Sequence, residues 1–259
     1  MQLTTRWARF GIPLLGAVAF LLIWEMATDL GAIRPVLLPA PLAIIREIAG
    51  EPRWFAEQTV FTIGVALAGF ALAVVLGVAF AVAIVEWPML DRLLFPLFVA
   101  LNSVPKVAIA PLFIIWFGTG AEPKIAIAAL IAIFAIVIDT ALGLHSVPPD
   151  QLDLAKVLRG SRLKVLLRIK MYCALPHIFA GFKVALSLSL VGAIVGEFVS
   201  SQKGLGFVIL TAQGSFDTPR VFAAIFILSV VGVTLISALD VIERLALPWH
   251  YKSRQVGGH

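Results

Sequence analysis

The sequence predicts an all-α membrane protein, a polytopic bundle of about six transmembrane helices, each taking about 20 apolar residues. Three observations carry that expectation. Of the 259 residues, 61% are hydrophobic and only 14% charged, where soluble chains carry roughly a quarter charged residues. The mean hydropathy is +1.02. The apolar residues also gather in long runs, and the basic ones in the short stretches between them. The same composition excludes other classes. The net charge of +5 lies in loops and tails, with no basic face interleaved with aromatics, so no nucleic-acid partner is expected. A single Cys173 rules out an internal disulfide, and no His, Cys or Asp cluster has metal-ligand spacing. No glycine-rich phosphate loop is present. No cofactor, metal or catalytic residues are therefore expected, and the four histidines scatter over span ends and the tail.

The elements follow in order. Arg6 and Arg9 precede an apolar run, Phe10–Ala27; without a small-residue cleavage site behind it, it is expected to be a retained first span with its amino end inside. Residues 29–58 are polar and punctuated by Pro35, Pro39, Pro41 and Pro52, with one short surface helix expected over Pro41–Gly50 because proline suits a first turn. Thr59–Val85 is apolar and rich in Gly and Ala, the pattern that lets helices approach closely in lipid. Leu93–Gly118 is interrupted by Asn102-Ser103-Val104-Pro105-Lys106, and Pro105 is expected to bend the span. A lysine at mid-membrane depth is a functional candidate by default, the alternative being a late helix start with Lys106 snorkelling. Pro123–Leu144, Ala180–Val199 and Val221–Leu239 complete the spans. Asp139 near the end of the fourth would meet a basic residue of the following loop, or water. Residues 203–216 read as a glycine-rich outer connector. The candidate pathway residues are Asn102, Ser103 and Lys106 with Ser187 and Ser189, although two residues apart on a helix the two serines do not share a face.

Residues 148–176 are the least membrane-like part. Lys156, Arg159, Arg162, Lys164, Arg168 and Lys170 lie there, with apolar residues at helical spacing broken at Gly160-Ser161. This predicts two short amphipathic helices joined by a bend, on the cytoplasmic side. Two roles fit it, a basic loop lying on anionic lipid or a docking element for a soluble partner. With an inside amino terminus and six spans, the loop and the tail with Arg244, Lys252 and Arg254 fall inside, while Arg34, Arg46, Arg53, Lys124, Lys203 and Arg220 fall outside. The chain divides into residues 1–58, the first span with its outer proline-rich segment, and 59–259, five spans with the loop 148–176.

Within that loop Asp153-x-Ala155-x3-Arg159-Gly160-Ser161, closing on Leu175-Pro176, resembles the EAA loop of bacterial ABC-importer permeases. It departs from that pattern at Arg159, where glycine is usual, at Gly160, where alanine is common, and at Tyr172, in place of the first of two prolines. The segment LLPAPLAIIREI, the stretch NSVPKVAIAPLFIIWFGTG and the run GFKVALSLSLVGAIVGEFVSSQKGLGFVI resemble, in order, segments of the nitrate/sulfonate/taurine-type permeases of that family. The resemblance spans nearly the whole chain. It implies a MetI-like permease fold and a transmembrane subunit, not itself an enzyme, of an ATP-driven importer for a small solute, an anion of the nitrate, sulfonate or taurine kind. It further implies a homodimer in a bacterial inner membrane, with cytoplasmic ATP-binding subunits and an extracytoplasmic solute-binding protein. Coupling to the ATPase would fall on Asp153, Leu154, Ala155, Lys156, Leu158, Arg159, Gly160 and Ser161, with the Ala155 face meeting the ATPase and Gly160 taking a positive backbone angle at the bend. The alternative is an ion-coupled secondary transporter, which calls for an internal repeat and midplane ionisable residues; Lys106 is the one strong candidate, and the two halves show no repeat.

Overall fold

The computed structural model describes residues 3–31 and 33–249, with the side chains of residues 3–10 and 12–14 outside it. Every regular element among the described residues is helical, as a chain in lipid requires when each segment must satisfy its own backbone. The order is α1 Leu3–Asp29, α2 Pro41–Gly50, α3 Pro52–Glu86, α4 Pro88–Asn102, a 3-10 turn Lys106–Ile109, α5 Ala110–Phe117, α6 Glu122–His145, α7 Pro149–Val157, α8 Arg162–Val165, a π-helical turn Leu166–Lys170, α9 Met171–Ser200, α10 Leu205–Gly214 and α11 Thr218–Ala246. Proline stands in the first turn of α2, α3, α4, α5, α6, α7 and α11, where its missing N–H costs nothing. The short helix expected over Pro41–Gly50 forms with those bounds.

Four stretches are long and apolar enough to cross a membrane: α3, α6, α11, and residues 162–200, which include α9. A fifth is the pair formed by α4 and the following segment Lys106–Phe117, bent by 87° at its break. Contacts show that this pair traverses the bundle rather than doubling back. Asp91, at its start, bonds His145 at the end of α6, 3.1 Å apart. After its far end, the Gly120 carbonyl accepts from Lys124 at the beginning of α6, 2.6 Å. The bend at Pro105 is thus a full break, sharper than the kink expected from the sequence. α1, with 27 residues, overlies the predicted first span.

The core is α6 held between α3 and α9. α3 and α6 run parallel: Gly69 faces Ala128 and Gly77 faces Ile136, so both advance together. α9 runs antiparallel, with Gly192 on Ala128 and Gly196 on Lys124. A Cβ on Gly69 would stand 2.5 Å from the Ala128 Cβ, and one on Gly192 2.6 Å from its Cα. Only a bare backbone fits at these two crossings, because the helices associate by close contact and not by a hydrophobic drive. The interior is accordingly small, with Ala66, Ala73, Ala128, Ala132, Ala185 and Ala193 fully buried, while Val75, Leu72 and Phe80 on the outside of α3 are exposed.

Residues 203–216 differ from expectation. They hold α10, a fourth wall packed on α11 and α3 through buried Leu205, Val208 and Ala212. Asp139 lies against Gly181 of α9 and not against the basic loop. Lys252 and Arg254 of the expected basic tail lie outside the described residues.

Candidate functional site

The loop folds as two short helices and a bend. α7 ends in a Schellman motif: the Gly160 N–H donates to the Ala155 carbonyl at 2.9 Å and the Arg159 N–H to that of Lys156 at 3.0 Å. The left-handed residue is Arg159, φ 50°. Gly160 follows it with no positive angle, so the bend's special position falls one residue earlier than expected. Ser161 is the extended N-cap of α8, its hydroxyl accepting from the Lys164 N–H at 3.4 Å. The π-helical turn then leads into α9, and Lys170 within it pairs with Glu86 at the end of α3, 2.6 Å. At the foot of α9 Tyr172 stacks on Trp249, ring centroids 4.5 Å apart.

Ala155 does not stand outward, as contact with a partner would require. Ala155 is 6% exposed, closed in by the bend it helps to form, because its carbonyl caps the turn. The outward apolar residues are Leu154, Val157 and Leu158, 59%, 79% and 71% exposed. They sit at i, i+3 and i+4, one stripe along the helix. Asp153 and Lys156 flank the stripe as an exposed pair, 2.8 Å apart.

At the break of the third span, Lys106 Nζ donates to the Asn102 carbonyl at 2.8 Å and to Asn102 Oδ1 at 3.0 Å. It also stands 4.6 Å over the Phe134 ring. The ammonium therefore takes up the carbonyl freed by the break, and no ion pair to an acid forms among the described residues. Phe134 is midway along α6, which puts Lys106 at mid-depth. Asn102 and Ser103 are exposed beside it.

The two serines of α9 separate. Ser187 is exposed, bonded to the Lys183 carbonyl. Ser189 is fully buried, and its hydroxyl donates to the Ala66 carbonyl of α3 at 2.9 Å. It staples α3 to α9 and lies off any open surface.

Three polar clusters are not signalled as such by the sequence. Glu197 of α9 is fully buried. Its Oε1 accepts from the Thr62 hydroxyl of α3 at 2.8 Å and its Oε2 from the Gly206 N–H at 2.7 Å. Thr62 in turn accepts from the Leu205 N–H at 2.8 Å, and Gln58 accepts from the Gly204 N–H at 2.7 Å. An acid inside an apolar span was the available signal. The second cluster ties α2 to α11: Arg220 pairs with Glu47 at 2.6 Å and Glu51 at 2.9 Å and lies 5.1 Å over Trp54. Its partners are far apart in sequence, and no local pattern signals them. On the other end of the bundle Lys183 pairs with Asp240 and Glu243 of α11.

Residues 73–247, which hold the loop, the broken span and Glu197 itself, match the family of binding-protein-dependent transport system inner membrane components. The chain belongs to that family. It is 32% identical over 241 residues to the formylaminopyrimidine transport permease protein ThiX of Halalkalibacterium halodurans, covering 93% of this chain and 96% of that one. It is also 32% identical to the riboflavin transport system permease protein RibX of Chloroflexus aurantiacus, over 94% and 91% of the two chains. The taurine transport system permease protein TauC of Escherichia coli is 32% identical over 91% and 89%. Among solved structures, an inward-facing MetNI methionine ABC transporter aligns with a TM-score of 0.65 at 17% identity, covering 74% of this chain and 96% of that one. The fold is thus that of the ABC-importer permeases, and the chain is a membrane permease subunit for a small solute.

Proposed function

We propose that this permease works as a homodimer, joined on the cytoplasmic side to two ATP-hydrolysing subunits and served outside by a solute-binding protein. The loop 148–176 is the coupling element, and its contact is the stripe Leu154, Val157 and Leu158. The observation that carries this reading is the exposure of those three side chains on a helix too charged to enter lipid. Fully covering one such side chain is worth about 1.5–3 kcal/mol, whereas an exposed pair such as Asp153–Lys156 contributes about 0–1 kcal/mol. The stripe therefore supplies the affinity. Asp153, Lys156 and Arg159 set register, and Ala155, Gly160 and Ser161 shape the bend that presents it. ATP-driven closure of the two ATPases brings the two loops together and switches the spans between inward- and outward-facing arrangements.

The solute passes at the broken third span, where Asn102, Ser103 and Lys106 present polar groups at mid-depth, with Ser187 on the exposed face of α9. Relatives are named for formylaminopyrimidine and riboflavin as well as for aliphatic sulfonates, taurine and bicarbonate. The acid-free ammonium of Lys106 favours a small anion here. The testing experiment is co-purification with a candidate ATPase subunit, followed by vanadate-sensitive ATP hydrolysis. Leu154→Asp with Val157→Asp should lose the ATPase while the permease remains folded. Undiminished co-purification and uptake in that variant would overturn the docking assignment.

A further inference from the structure

At the end of the bundle opposite the loop lies a cavity of about 440 Å3 that none of the roles above uses. It opens where the turn before α6 meets the turn between α9 and α10. Its charged lining residues are Lys124 and Lys203, and Ser200, Ser201, Gln202 and Phe61 complete the part that matters here. Lys124 is 3% exposed. Two of its three ammonium protons are placed, on the carbonyls of Thr119 at 3.2 Å and Gly120 at 2.6 Å, which fixes the nitrogen in the wall with one donor left. Glu197 and Glu122 interact with Lys124 electrostatically and offset its charge. Neither lines the cavity, and both Glu197 oxygens are already occupied by Thr62 and the Gly206 N–H. Lys203 is different: it is exposed, it also walls the adjoining recess of Arg53, Glu57 and Gln58, and among the described residues no acid pairs with it. Arg53 and Glu57 in that recess cancel each other as an ion pair at 3.3 Å. Among the described residues the uncompensated charge of the region is therefore one ammonium at the mouth, beside the fixed ammonium of Lys124 and the Ser200 side chain.

We propose that this cavity is an outer receiving site for a small oxyanion, a sulfonate, carboxylate or phosphate group, with Lys203 as its capturing charge and Lys124 as its fixed donor. The site rests on the reading that the permease imports a small anion, and adds a station to it at the outer surface, well away from Lys106 at mid-depth. An anion held here exchanges water for one mobile and one fixed ammonium donor plus the hydroxyl of Ser200, since that of Ser201 is given to the Lys203 carbonyl. Such a site binds weakly and releases readily, as an entry station must if solute is to move on.

The test uses the full chain in phosphatidylcholine nanodiscs, with Cys173→Ser and a reporter, Gln202→Cys, at the cavity mouth. Its reaction rates with a sulfonate-bearing and a trimethylammonium-bearing methanethiosulfonate are compared, each normalised to Ser215→Cys on the same end of the bundle. The anionic reagent should be favoured at least fivefold at residue 202, and Lys203→Gln should bring the ratio close to one. Methanesulfonate should slow modification while mannitol does not. A normalised ratio at or below one, or a ratio unmoved by Lys203→Gln, would overturn the proposal, as would protection by riboflavin in place of methanesulfonate. Repeating the series with added phosphatidylglycerol separates the sources of the anion. Protection by the lipid alone would mean that the site holds a headgroup, and would overturn its role as a receiving station. Because no transport is measured, loss of anion uptake in a complete importer with the labelling pattern intact would refute the transport reading and leave the site standing.

Discussion

Arg159 ends α7 in the left-handed region, φ 50°, a conformation that costs an L-residue with a Cβ roughly 1–2 kcal/mol. The Schellman bonds from Arg159 and Gly160 impose it, and glycine is the residue that accepts it freely. Part of that gain is returned as extra freedom of the unfolded chain. Arg159→Gly should therefore stabilise the bend by about 0.5–1 kcal/mol, read as a two- to fivefold slower exchange of the Gly160 amide hydrogen. Faster exchange would mean that Arg159 makes contacts worth more than its backbone strain. Lys106 poses a residue-scale question of another kind. Its ammonium is satisfied by Asn102 and Phe134, so it is affordable at mid-depth without an acid. Lys106→Met keeps the volume and removes the charge. Folding and ATPase assembly should persist, while uptake of an anionic solute falls severalfold. Uptake equal to that of the wild type would reduce Lys106 to a local cap of the broken helix.

At the scale of elements, α10 shows both what the sequence displays and what it withholds. Helices whose signals are local were legible: the Pro41–Gly50 helix by its first-turn proline, α3 by its small residues, and the two-helix loop by its interrupted spacing. Ala155 faces inward because its carbonyl is consumed by the bend, a tertiary fact that periodicity does not carry. α10 was missed because its first N–H groups are satisfied from afar. Gly204, Leu205 and Gly206 donate to Gln58, Thr62 and Glu197, on α3 and α9. A helix start with no capping side chain of its own, between Gly204 and Gly206, reads locally as a loop. The same fact makes Glu197 the pin of the element. Glu197→Ala leaves the Gly206 N–H buried without this partner, a cost of about 1–3 kcal/mol, while the Thr62 hydroxyl falls back on the Gln58 carbonyl at 3.3 Å. Protease cleavage within residues 201–217 should rise tenfold or more. Glu197→Gln retains an acceptor for Gly206 and should restore most of the protection. Equal cleavage in the Ala variant and the wild type would show that packing of Leu205 and Val208 alone holds α10.

For the whole molecule the decisive quantity is parity. α3 and α6 run parallel, since Gly69 meets Ala128 and Gly77 meets Ile136, so the chain between them must cross the bundle once. The broken pair does so, from the Asp91–His145 contact at one end to the Gly120–Lys124 contact at the other. α9 then returns antiparallel, and Ser161 and Ser215 fall at opposite ends of the bundle whatever α1 does. Which end faces the cytoplasm is a matter of charge. Lys156, Arg159, Arg162, Lys164, Arg168 and Lys170 crowd the end that holds Ser161, and basic residues are retained inside. At the other end Arg220 is neutralised by Glu47 and Glu51, and Arg53 by Glu57. In a Cys173→Ser background, Ser161→Cys should react with a membrane-impermeant maleimide only in inverted vesicles. Ser215→Cys, exposed beside Phe216, should react only in intact cells. Reaction of both from one side would break the parity argument and with it the crossing assigned to the bent pair. Reaction of Ser161→Cys from outside alone would keep the fold but turn the loop away from the cytoplasm, where no ATPase could reach it.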